Sequence, residues 1–147
     1  MRSLIDQFLK PRLEQFRQEQ PQMAVELATA VLLVEVSRAD FCQDEAELEA
    51  IRGALLEHFS LSGDEVDTLL QNAHDESAQL VSLQHVTRLL NEQMSQQDKV
   101  RVIELMWRVV YADGDKHHYE EHLLRQVAEL LYVPHADFIR ARHLAET

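Results

Sequence analysis

The chain is poor in the residues that punctuate or staple proteins: its 147 residues include three glycines, three prolines and one cysteine. With Cys42 alone, an internal disulfide is excluded. Gly53, Gly63 and Gly114 are too scattered for a P-loop or a dinucleotide fingerprint, and no serine sits in a Gly-x-Ser-x-Gly elbow. Hairpin dipeptides such as Asn-Gly are missing, which argues against an all-β fold. Long apolar runs are scarce too. The greasiest stretch, 23–36, contains Glu26 and Glu35 and is too short for about 30 Å of hydrocarbon. The first thirteen residues have short apolar clusters broken by Asp6, Gln7 and Lys10, which fits neither a secretory leader nor a span. The expected compartment is the cytoplasm.

Basic charge is also in short supply. The net charge is −12, and residues 40–76 hold eleven Asp and Glu against one base, Arg52. Phosphate-backbone binding rests on clustered Lys and Arg, so no nucleic-acid partner is expected. The acidic segment reads either as a solvated face or, more sharply, as a cation site or a docking face for a basic protein partner.

What remains is helical in period nearly throughout. A chain of this length suits one domain that buries roughly 70% of its unfolded surface. Pro21 opens a helix through about Arg38 that is apolar on almost every side, at Met23, Val25, Leu27, Ala30, Val31, Leu32, Leu33, Val34 and Val36. Such a helix is expected to be buried. Asp44-x-x-Glu47 reads as a capping box before Leu48, Ile51, Leu55, Leu56 and Phe59, and Ser62 with Glu65 opens the next helix. Ser82 starts a shorter one through Val86, Leu89 and Leu90. Ser95-x-x-Asp98 begins a second buried helix carrying Val100, Val102, Ile103, Leu105, Met106, Trp107, Val109 and Val110. Leu123, Leu124, Val127, Leu130 and Leu131 form the next stripe, and Pro134 opens a last helix with Phe138, Ile139 and Leu144.

Two stretches repeat at a distance of 73 positions: helix 21–38 matches 96–111, Ala39-Asp40 matches Ala112-Asp113, and Glu47 matches Glu120. The predicted architecture is therefore all-α. It is a single helical domain of about seven to eight helices, with two pseudo-symmetric hairpin repeats, about 21–78 and 95–145, around two buried central helices. Residues 1–20 read as an amphipathic helical segment, with Leu4, Ile5, Phe8 and Leu9 beside Lys10 and Arg12. Membrane contact is expected only there, and packing onto the body is its commoner fate.

The pattern Ala112-Asp113-Gly114, then Glu120-Glu121 and an apolar stripe, preceded by Trp107-Arg108-Val109-Val110-Tyr111, resembles the tellurite-resistance TerB family. The copy at Ala39-Asp40 with Glu47 fits that family's duplicated layout, and the resemblance covers about residues 20–145. The domain is also similar to the N-terminal part of a membrane-anchored DnaJ-like co-chaperone. The resemblance implies an all-helical fold, a link to metal or chemical stress, cation binding at the acidic motifs and no established catalysis. Where the family has glycine after the first aspartate, this chain has Phe41 and then Cys42.

Two chemistries compete for the acidic motifs. Gly114 ends a helix by tolerating a left-handed backbone, while Asp113 or Asp115 caps the next one. Alternatively Asp113, Asp115, Glu120 and Glu121 surround a divalent cation that wants oxygen ligands, with Asp40 and Glu47 as the weaker first-repeat counterparts. An EF-hand is excluded, because its sixth and twelfth positions counted from Asp113 hold His118 and Leu124. His118-Tyr119-Glu120-Glu121-His122 matches the inverted zinc-protease signature, so His118, Glu121 and His122 name a zinc hydrolase as a remote reading. A helical His/Glu ladder that binds zinc adventitiously is the plainer alternative. Cys42 lies amid Asp40, Asp44 and Glu45, whose field should raise a thiol pKa, so a buried or idle cysteine is expected. The function expected is an acidic helical binding module without catalysis.

Overall fold

The computed structural model describes residues 19–39, 45–112 and 118–146, together with Leu13 and Phe16, with the backbone alone at 118 and 119. Asp40, Phe41, Cys42, Asp44, Asp113, Gly114, Asp115 and the apolar positions 4–9 lie outside the described residues. Among the described residues seven α-helices follow one another: α1 Pro21–Arg38, α2 Glu45–His58, α3 Gly63–Ala78, α4 Leu83–Gln93, α5 Gln96–Tyr111, α6 His118–Leu130 and α7 His135–Glu146. None among the described residues is long and apolar enough to cross a membrane.

Local chemistry sets most of the starts. Pro21 occupies the first turn of α1, where its missing N–H costs nothing. α3 opens on a reciprocal box: the Glu65 N–H donates to Ser62 Oγ at 3.2 Å, and the Ser62 N–H donates to Glu65 Oε1 at 3.0 Å. Ser82 and Ser95 accept from the N–H groups of Gln84 and Asp98 at 3.1 and 3.2 Å, so α4 and α5 are capped by one hydroxyl each. α7 begins one residue later than expected, at His135. The Pro134 carbonyl accepts its first intrahelical bond, from the Phe138 N–H at 2.9 Å.

The packing places the two greasy helices at the centre. α1 lies against α5, and twelve of its eighteen residues are buried, so no face of its middle turns reaches water. Its buried hydroxyls return to their own helix, Thr29 to the Val25 carbonyl and Ser37 to the Val34 carbonyl, both at 2.8 Å. α5 buries Trp107 among Tyr111, at 5.7 Å between ring centroids, and Phe138, at 5.3 Å. Each such side chain contributes roughly 1.5–3 kcal/mol through burial. Met23, the first apolar residue of the α1 pattern, is 41% exposed instead.

The two halves use equivalent packing partners. α2 packs on α1 and also on α5, while α6 packs on α5 and also on α1. One refinement to the hairpin expectation emerges: each central helix packs most extensively with the helix after next, α1 with α3 and α5 with α7. Polar ties hold those pairs at the C-terminal ends of the central helices. Ser77 donates to Glu35 and accepts from Arg38 at 2.7 Å in the first half, and Arg142 donates to the Tyr111 hydroxyl at 2.8 Å in the second. α4 covers α1 and α6, and the connector before it carries Val81, which is 99% exposed. Leu13 is buried and Phe16 half-buried against the body.

Candidate functional site

Glu47 and Glu120, the matched glutamates of the repeat, each sit in the first turn of the helix that follows a junction, and both are fully buried. A carboxylate at a helix N-terminus is favoured by the macrodipole, yet burying it is costly without compensating contacts. Both do engage other groups of the protein. The capping box read at Asp44 and Glu47 thus involves a core residue, its other half lying outside the described residues.

Glu121, next along the chain, belongs to a different environment. Arg125 approaches its carboxylate at 3.5 Å and Arg142 at 4.0 Å. Arg142 also stands 5.3 Å above the Trp107 ring and faces Glu146 at 3.5 Å, and the Tyr111 hydroxyl donates to Glu146 at 3.0 Å. Burial pushes the Tyr111 hydroxyl above its ordinary range, with Arg142 pulling the other way. His122 points to solvent, and the side chain of His118 lies outside the described residues. Glu120 and Glu121, adjacent in sequence, are therefore divided between core and arginine network. Among the described residues no group of three or more His, Cys, Asp or Glu is placed to hold a metal ion.

The acidic segment 40–76 divides in the same way. Glu47 and Glu76 are buried, whereas Glu45, Glu49, Glu57, Asp64, Glu65, Asp67 and Asp75 are exposed. Arg52 engages Asp67 at 2.9 Å, and Arg108 of α5 reaches Glu57 at 3.5 Å. The sequence reading treated the segment as one face; the helical period distributes it over several.

One stretch of that surface is concave. Between α1 and α3 lies a cleft of about 350 Å³ with Phe16, Met23, Leu61 and Leu69 as its apolar lining and Glu26, Asp64 and Glu65 among its walls. The acidic first turn of α3 supplies two of those carboxylates, and Leu69 follows Glu65 by four residues on the same helical stripe. The Ser62 N–H, and then the Ser62 hydroxyl, hold the Glu65 carboxyl below its ordinary range by favouring the charged form. Met23, Leu61 and Leu69 were not singled out as binding residues in the sequence. Their letters match those of core residues, and only the packing leaves them open.

Comparison with known proteins is decisive for kinship. No curated protein and no solved structure matches the chain, but the family model described as tellurite resistance protein TerB matches residues 26–143. That match runs from within α1 to within α7 and takes in both Glu47 and Glu120. With its central helices paired and its buried glutamates at equivalent junctions, the chain belongs to the TerB family of tellurite resistance proteins.

Proposed function

We propose that this chain is a non-catalytic acidic docking module, acting in a metal- or tellurite-type stress setting, whose α1–α3 cleft takes apolar side chains from a basic amphipathic protein segment. The observation that carries the reading is the combination in that cleft of an apolar lining with three carboxylates. Its volume falls at the lower end of the roughly 300–1,000 Å³ typical of ligand pockets, which suits one or two inserted side chains rather than a large cofactor. The chain's net charge of −12 adds long-range attraction for a basic partner.

A labelled Leu/Lys amphipathic peptide of about 18 residues, set against a same-composition peptide with its leucines dispersed, tests the reading by fluorescence anisotropy. Met23→Gln combined with Asp64→Lys, both at exposed positions, is expected to weaken binding about tenfold, or about 1.4 kcal/mol. Raising salt to about 0.5 M should weaken it further, because exposed charges are largely screened there. Equal binding of the dispersed peptide, or indifference to the double substitution, would remove the proposal.

A second reading, a divalent cation at the helix junctions, draws support from the matched burial of Glu47 and Glu120. Asp113, Asp115 and Glu120 would supply oxygen ligands in that reading, with Asp40 and Glu47 as the first-repeat counterparts. Melts of chelator-treated protein with Ca²⁺, Mg²⁺, Mn²⁺ and Zn²⁺ in turn should show one ion adding about 2.7 kcal/mol at a hundred times its dissociation constant, or roughly 5–10 °C. Loss of that shift in Asp113→Ala with Asp115→Ala supports it; no shift with any ion ends it.

A further inference from the structure

We propose that a second cleft, between α4 and the turn joining α6 to α7, binds the free C-terminal carboxylate of a peptide. The cleft measures about 440 Å³ and is lined by Arg88, Asn91, Glu92, Leu130 and Tyr132 among others. It is separate from the α1–α3 cleft and does not depend on the function proposed there.

The turn is built against local preference at two adjacent places. α6 ends in a Schellman motif, in which the Val133 N–H donates to the Ala128 carbonyl at 2.9 Å and the Tyr132 N–H to the Glu129 carbonyl at 3.1 Å. The left-handed position of that motif belongs to glycine by preference, yet here Tyr132 holds it at φ 58° with 75% of its surface exposed. Beside it Asn91 donates through Nδ2 to the Leu130 carbonyl at 2.9 Å, and its own Oδ1 is buried with no hydrogen-bond partner among the described residues. From α5, Gln96 donates to the Tyr132 carbonyl at 3.0 Å. Two side-chain amides thus tie down a turn that carries a strained aromatic, beside a buried acceptor with no partner among the described residues. Local costs of this kind cluster at binding and catalytic sites.

The chemistry of the lining selects the ligand. Arg88 is exposed and makes no ion pair among the described residues, so its guanidinium is available to receive a carboxylate through two N–H groups. The Tyr132 ring offers a flat apolar face for the side chain of the terminal residue. Glu92, on the same wall, keeps a contact of its own and adds an acceptor for that residue's amide N–H, and its charge disfavours a doubly charged phosphate more than a singly charged carboxylate. A carboxylate, an N–H and an apolar side chain on one carbon is the end of a peptide chain.

N-acetyl-leucine is the smallest probe with all three groups, and amide NMR of the ¹⁵N-labelled full chain reads its binding. Shifts are expected at residues 84–92 and 130–133, with a dissociation constant of order 1 mM for so small a ligand. N-acetyl-leucinamide, which lacks the charge, should bind at least tenfold more weakly, and so should the probe to Arg88→Gln. Tyr132→Gly should weaken binding several-fold while raising Tm, a pairing that a purely structural role for the tyrosine would not produce. No shifts at about 20 mM probe, equal binding of the amide, or unchanged binding by Tyr132→Gly would overturn the proposal. Equally strong shifts of the same amides by inorganic phosphate would overturn it as well, by reducing the site to a general anion patch.

Discussion

His58, at the end of α2, is half-buried with its ring edge-on to Phe59 at 4.6 Å, and its pKa is lowered below the ordinary 6.5. Burial is the largest cause and the Arg101 guanidinium adds to it, while Asp98 opposes both. Between 6.5 and the lowered value the unfolded chain takes up a proton that the folded chain refuses, so stability falls as pH falls through that window. Denaturant midpoints at about pH 7.5 and about pH 5.5 should show wild type losing more stability on acidification than His58→Gln does. An equal loss in both proteins would contradict the assignment. The same scale shows where the sequence was opaque. Glu47 and Glu49, or Glu120 and Glu121, are neighbours of the same type, and no local signal separates the buried member from the solvated or arginine-paired one. The division depends on which side of a helix faces the core, and at a helix start that side is set by tertiary packing.

At the scale of elements the sequence was far more legible. α1 and α5 occupy 21–38 and 96–111 as read from the pattern, because proline, serine caps and apolar period are all local and agree with one another. The box at the start of α3 is the most testable of these signals, since both of its hydrogen bonds are formed. Ser62→Ala should cost about 1 kcal/mol in a urea titration. A change below a few tenths would mean that packing of Val66 and Ala73, both fully buried, holds α3 without its cap. Which helix embraces which was not readable in the same way. The preference of α1 for α3 over α2, and of α5 for α7 over α6, is made by contacts distant in the chain. Residues that line the exposed cleft, such as Met23, were indistinguishable in sequence from those of the core.

For the molecule as a whole, the contact that joins the two central helices is between α1 and α5. α1, apolar on every side of its middle turns, admits no position but the middle, and α5, which keeps Arg101, Glu104 and Arg108 together on one face, lies against it with its apolar residues from Val102 to Val110 buried. Leu32, fully buried in α1, tests the shared core: Leu32→Ala should cost about 2–5 kcal/mol with the urea m-value unchanged. Fluorescence of Trp107, the single tryptophan, on the opposite central helix reports that loss. If the two halves unfolded in separate steps, the transition would split and the shared core would be refuted.

Val81, bare to solvent on the strap between the halves, gives that architecture a practical corollary. Severing the backbone there would part the polymer without parting the body, because the greasy rods on either side of the nick have nowhere drier to go than each other. Two co-expressed fragments meeting at this break should reconstitute one particle, which makes the protein a ready scaffold for complementation.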